Sequence, residues 1–352
     1  MMRNQIIVGL AILMIVTSAL WGQTPSTSNT TGRRDIDRSI DRGIKFLREC
    51  QRDNGSIIDP TNQSGIHATA LTSLSLLAFA AAGHTLTDQS ATGDVMRRGL
   101  QFVLDVKRID ETGYFGHHDG SRMYGHGITT LMLGELLGTA ADPRTDHRIR
   151  QRLTKGVSVI LTSQQLARQS IYRGGWRYLP QSRDADMSVS IWQTMALRSA
   201  HNAELFVPED AIDQALTFIK RCHNDNGFGY QPGKPADFSM TGAGLVALHV
   251  CGIHDAPQAK SAADWLLEHP PTPKTPWFYY GLYYYTQGMF QQGPPHDTTA
   301  RNHTQRLLIK LQQENGSWIG TDRESEGGTV YCTALATMSL AVRYHYLPIY
   351  QR

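Results

Sequence analysis

The chain has 352 residues, 40% of them apolar and 18% charged, enough to bury a large core, and no linker divides it. Its formal net charge of +3 comes from intermixed basic and acidic residues. That balance excludes a basic nucleic-acid-binding stripe and argues against electrostatic docking on an anionic membrane.

Arg3, the apolar run Ile6 to Val16 and the small residues around Ser18, Ala19 and Gly22 predict a secretory signal over residues 1–22, cut near Ala19 or Gly22. Left uncleaved, the same run would serve as a membrane anchor. No Cys ends the run, which argues against a lipid-modified N-terminus. Residues 23–37 are polar and Thr/Ser-rich, and predict a disordered lead-in. The folded region is then 38–352. The protein is expected to be exported, periplasmic or secreted, with no stable membrane span after cleavage.

The rest of the chain is a repeat. Unit one spaces Ile40, Ile44, Phe46 and Leu47 as one helix face, turns at Asn54-Gly55, and continues as the nearly polar-free helix His67 to Phe79. Unit two runs from Val95 through Leu100 and Val103, turns at Gly113 to Gly116, and resumes from Gly127 to Leu137. Unit three has Ile149, Val157 and Ile160, a turn at Gly174-Gly175-Trp176, and a second helix opening after Asp186. Unit four has Leu216, Phe218 and Ile219, turns around Gly227, and resumes from Ser239 to Val250. Unit five is the most degenerate, with Trp265 and Leu266, a Pro-rich turn, and Trp277 to Tyr285. Unit six closes the chain with Leu307 to Gln312, Gly316-Ser317-Trp318, and Thr329 to Val342.

Helical hairpins of this kind either continue as an open solenoid or close into a ring. An open array needs polar capping units, yet the fullest second copy of the motif stands at the far end of the chain. The expectation is an all-α fold, a ring of six inner and six outer helices around an axial pocket. The four cysteines, Cys50, Cys222, Cys251 and Cys332, have no metal-binding spacing. Cys222 and Cys251 could bridge inside unit four, or remain buried thiols. Tyr344-His345-Tyr346 reads as a fraying helix end.

The string Arg42, Gly43, Phe46, Leu47, Gln51 and Gly55, with Ile57 in the last place, resembles the repeat of terpenoid cyclases and protein prenyltransferase β subunits. Gln312, Gly316 and Trp318 match its second half in full. The resemblance covers about residues 38–345 and implies an α/α toroid. It also implies that the Gln is structural, tying outer helices together, and that chemistry sits where the inner helices start.

Asp184-Ala185-Asp186-Met187 looks like a partial match to the Asp-x-Asp-Asp acid motif of class II terpene cyclases, with Met187 where the last Asp would be. On that match Asp186 is a proton donor and Asp184 its partner, since burial and a second carboxylate both disfavour ionisation. The plainer reading makes Asp186 a helix N-cap. The class II family also places its site between two toroids, and this chain has one. A lone toroid looks more like the prenyltransferase β subunit, whose zinc needs Asp, Cys and His. Here Asp237 fits, but Ser239 stands for the Cys and Gly328 or Thr329 for the His, so no metal and no cofactor are expected.

Trp176, Tyr178, Trp192, Phe228, Tyr230, Trp277 and Tyr280 fall at the expected inner rim, with His126 at an inner-helix start. Such residues would hold a small apolar ligand, a glycan or a peptide in the central cavity, or stabilise a carbocation. His67, His126 and Asp186 could meet across the ring, although satisfied cap or turn histidines are the simpler reading. No phosphate loop, nucleophile elbow or Gly-Cys-Gly-Glu-Gln thioester stretch is present. The sequence therefore favours a ligand-binding toroid with an aromatic-lined cavity. Its alternative is a class II terpenoid-cyclase-like enzyme that protonates an isoprenoid alkene through Asp186.

Overall fold

The computed structural model describes residues 27–62 and 64–351. The signal expected over 1–22 lies outside them. Helices of two kinds alternate along the chain. The first kind comprises α1 (Thr27–Glu49), α3 (Ala91–Leu104), α5 (Pro143–Gln164), α7 (Glu209–Arg221), α9 (Pro257–Glu268) and α11 (His296–Leu311). Each buries one apolar stripe, as α1 does with Ile36, Ile40, Ile44 and Leu47. The second kind comprises α2 (Ala68–Ala81), α4 (Arg122–Leu136), α6 (Met187–Asn202), α8 (Phe238–Val250), α10 (Phe278–Gln292) and α12 (Gly328–Ala341). These lack a polar face, so they are enclosed on every side; every residue of α8 is buried.

The enclosed helices pack in ring order, α2 on α4 and so on to α12, and α12 packs back on α2. The amphipathic helices lie outside them, with α1 against both α11 and α12. This is the six-plus-six closed toroid. Apart from isolated bridges, the only sheet among the described residues is a two-residue ladder, His223–Asn224 with Gly227–Phe228.

The repeated residues have repeated jobs. Gln51 Nε2 donates to Gly55 O at 3.0 Å and to Val95 O in α3 at 2.9 Å. Gln164 does the same to Gly174 O and Ala211 O, at 3.1 and 2.9 Å. Gln312 does it to Gly316 O and Ser39 O, both at 2.9 Å, which joins the last unit to the first. In each case one amide group satisfies the unit's own turn and a carbonyl of the next outer helix. The two tryptophans at the motif's last position tie back to the preceding outer helix: Trp176 Nε1 to Ile160 O and Trp318 Nε1 to Leu308 O, both at 2.9 Å.

Two expectations change. Helix α1 starts at Thr27, inside the span read as a disordered lead-in, and Ile36 in that span is buried because the helix packs on the ring. The chain after α12 does not fray. It passes through Val342–Tyr344 and a left-handed His345, and then returns to the ring as a 3-10 turn, Pro348–Tyr350, with Leu347, Ile349 and Tyr350 buried. Of the two states left open for Cys222 and Cys251, the structure has free thiols, as at Cys50 and Cys332.

Candidate functional site

At the end of the ring where the inner helices begin, carboxylates take up the free helical N–H groups. Asp186 caps its own helix α6, Oδ1 accepting from Val189 N at 2.9 Å, and Asp237 caps α8 through Met240 N, also at 2.9 Å. The other three act across a unit boundary. Asp119 accepts from Thr69 N and Ala70 N of α2, Glu324 from Tyr279 N and Tyr280 N of α10, and Asp59 from Thr329 N and Val330 N of α12. The sequence reading missed Asp59, Asp119 and Glu324 as caps, because the helix each one serves is not its own.

Asp186 is fully buried. Its Oδ1 also accepts the Ser188 hydroxyl at 2.6 Å, and Oδ2 accepts Arg177 Nη1 at 2.9 Å. Burial pushes this carboxyl above the ordinary range, while Ser188, Val189 and Arg177 pull it back. Both oxygens are thus held by fixed donors. Asp184 does not touch Asp186; it pairs instead with Arg177 Nε at 3.3 Å.

Arg177, one position after a motif tryptophan, carries no signal in the sequence. Its Nη1 donates to Tyr230 Oη at 3.0 Å. Its guanidinium lies over the Tyr178 ring at 4.5 Å and the Tyr230 ring at 5.5 Å, a cation–π pair on two faces. Tyr178 and Tyr230 are hydrogen-bonded to each other, and Tyr124 of α4 to Ser188 of α6. Tyr280 of α10 reaches across to Ser188 O at 3.0 Å.

Tyr124 and Tyr331 stand half-buried beside this cluster, and burial pushes both phenols well above 10. The phenols of Tyr124, Tyr280 and Tyr331 lie close enough for the charge on one to raise the pKa of another. The cluster therefore draws on α4, α12 and the segments before α6 and α8, with α10 supplying Tyr280. Trp277, 45% exposed at φ 53°, stands at the start of α10.

Along its axis the ring is bridged rather than open. Trp192 of α6 stacks on Tyr283 of α10 with centroids 5.8 Å apart and planes at 9°, although α6 and α10 are not ring neighbours. Tyr350 of the returning segment bonds Tyr283 and sets its hydroxyl 3.8 Å from Met195 Sδ. Ile349 N donates to Glu135 Oε2 on α4 at 3.0 Å. Trp192, expected at the inner rim, is buried here against Tyr283.

The remaining predicted ligand residues belong to the repeat scaffold. At the turn of each of five units, one backbone N–H is accepted by the following inner helix. Ile57 N goes to Thr72, Trp176 N to Ser190, Phe228 N to Thr241, Trp318 N to Thr333, and Phe115 N to His126 Nδ1. His126 thus replaces a Ser or Thr, and its Nε2 meets Gly156 O at 3.0 Å. It is fully buried, as are Trp176 and Phe228. His126 and Asp186 therefore have separate partners. Among the described residues no group of three His, Cys, Asp or Glu could hold a metal ion. No helix there is long and apolar enough to cross a membrane.

A closed ring of helical hairpins with its polar cluster at the inner-helix starts defines an α/α toroid. Residues 41–272 match the prenyltransferase alpha-alpha toroid domain, and the chain belongs to that family. No curated protein matches it significantly in sequence. Among solved structures it resembles the type II terpene cyclase MstE from Scytonema at 15% identity and a TM-score of 0.59, covering 89% of this chain and 99% of that one. It also resembles the GH76A alpha-1,6-mannanase of Salegentibacter sp. HEL1_6 at 8% identity and a TM-score of 0.63, covering 88% and 99%. A protein from Actinoplanes aligns at 13% identity and a TM-score of 0.56, covering 88% and 98%. At these identities the likeness is one of fold.

Proposed function

We propose that this protein is an exported ligand-binding toroid whose tyrosine-lined recess takes a hydroxylated ligand, a short oligosaccharide, and releases it unchanged. The observation that carries this reading is the convergence of Arg177, Tyr178, Tyr230, Tyr124 and Tyr280 on one end of the ring. Phenol rings offer flat apolar faces to the C–H side of a sugar, and their hydroxyls, with the guanidinium, serve its O–H groups. An isoprenoid chain would need an apolar tunnel, and Trp192, Tyr283 and Tyr350 occupy that space. The GH76A mannanase has been solved with alpha-1,6-mannotriose bound, which shows that this fold can hold a sugar and makes that trisaccharide a sensible first probe.

The reading is tested by titrating manno- and gluco-oligosaccharides into the protein and into Arg177→Met by calorimetry, with product analysis of the mixture. Binding that Arg177→Met weakens at least tenfold, with intact sugar recovered, supports it. Absence of binding across the set sinks it.

One observation favours a second reading, an acid catalyst of the terpene-cyclase kind: burial raises the Asp186 carboxyl toward the protonated form. Conversion of a geranylgeranyl substrate that Asp186→Asn abolishes would establish it. Against it stand three donors, Ser188 Oγ and Val189 N on Oδ1 and Arg177 Nη1 on Oδ2, which all favour the ionised carboxylate over one that holds a deliverable proton.

A further inference from the structure

Outer helix α5 carries Arg144, Arg148, Arg152 and Lys155 at steps of four, four and three, which sets them on one stripe. The stripe lies away from Ile149, Leu153, Val157 and Ile160, which the helix buries against the ring. The turn after α3, Val106–Arg108, adds Lys107 and Arg108 to the same surface. Tertiary packing brings the two sets together. Arg148 Nη2 and Arg152 Nη2 both donate to Leu104 O, at 3.4 and 3.5 Å, two residues before that turn.

Two guanidiniums on one carbonyl repel each other. Burial and then the charge of Arg148 lower the Arg152 pKa, and Asp105 only partly offsets them. Asp105 spends a carboxylate oxygen on Lys107 N, and Asp146 of α5 spends one on Gly138 N. No ion pair among the described residues involves any of the six cations. At the tip of this face Val106 is 69% exposed, an aliphatic side chain next to Lys107.

We propose that this face docks on an anionic lipid surface, its cations meeting headgroup phosphates and Val106 entering the apolar boundary. Unpaired cations gain counter-charge there, and the aliphatic tip gives a lipid surface what a soluble polyanion cannot offer. The net charge of +3 gives no sign of this local excess, six cations with Asp105 and Asp142 beside them.

The test is co-sedimentation of the full chain with phosphatidylcholine vesicles, with and without phosphatidylglycerol. The expected result is a phosphatidylglycerol-dependent gain in binding that falls at least tenfold between about 0.05 and about 0.3 M salt. Arg144→Gln with Lys155→Gln, whose side chains make no internal hydrogen bond, should weaken that gain by roughly 30-fold. Val106→Asp should weaken it further, and Arg150→Gln, off the stripe, should leave it unchanged. Equal binding to both vesicle types, an undiminished gain in the double variant, or capture by heparin without vesicle binding overturns the proposal. Every variant carries the same residues 1–22, so insertion of that segment cannot account for a loss of the lipid-charge increment in the double variant.

Discussion

Asp59 Oδ1 accepts the backbone N–H of Thr329 at 3.0 Å, and its Oδ2 that of Val330 at 3.2 Å, so a loop of the first unit caps the last inner helix. The toroid is closed by the device that joins its other units, since Asp119 and Glu324 serve α2 and α10 in the same way. Replacing Asp59 by Ala strips two helical N–H groups of their acceptor. We expect a loss of about 2 kcal/mol in urea unfolding, with Asp59→Asn costing well under half of that. Equal losses for Ala and Asn would contradict a cap.

The motif glycines do more than turn. Gly316 sits at φ 90°, and a Cβ there would stand 2.4 Å from the Arg42 carbonyl of α1. Gly138 has a similar φ of 84° but open space around it. Gly316→Ala should cost about 2–3 kcal/mol, the sum of backbone strain and a backbone clash across the ring closure, while Gly138→Ala should cost about 1 kcal/mol. Thermal unfolding of the two variants side by side decides it.

Asp186 holds a helix start and Arg177 at once. Asp186→Asn keeps the cap and should cost about 1 kcal/mol, whereas Asp186→Ala leaves Val189 N–H and Arg177 Nη1 without their acceptor and should cost about 3 kcal/mol. The same Ala variant should weaken oligosaccharide binding, because Arg177 then keeps only Tyr230 Oη and Asp184 to hold it over the Tyr178 and Tyr230 rings. Full binding by a folded Asp186→Ala protein would disconnect this carboxylate from the recess.

Glu135 predicts a pH dependence. Burial raises its carboxyl to about 7, with only Ser199 Oγ and Ile349 N stabilising the charge. The folded chain therefore keeps a proton that the unfolded chain releases near pH 4.5, and stability falls as pH rises from about 4.5 to about 7. The full penalty, on the order of 3 kcal/mol, is present above that window. Denaturation midpoints measured from pH 5 to pH 8 should show the decline, and Glu135→Gln should flatten it. The decline persisting in that variant would place its origin elsewhere.

Much of the fold was legible because it is periodic. The Gln-x-x-x-Gly turn and the contrast between one-faced and all-round apolar helices dictate hairpins, and the full motif at the far end of the chain favours a ring over an open array. The site was legible only in part. Asp186, Tyr178, Tyr230 and Tyr280 do gather at one end, but Arg177, which organises two of the rings, carries no mark in the sequence. Trp176, Phe228 and His126 look the same in sequence as the recess residues, and they serve the scaffold.

Local chemistry decided what the sequence could determine by itself. Which face of a helix is apolar, which turn needs a glycine and which Asp can start a helix depend on a few neighbouring residues. Tertiary structure alone decided which helix Asp59, Asp119 and Glu324 would cap. It also decided that Tyr350 would return to fill the axis beside Tyr283, and that the cations of α5 would meet those after α3. These contacts join residues far apart in the chain, and their energy exists only once the ring has closed and water has left the space between them.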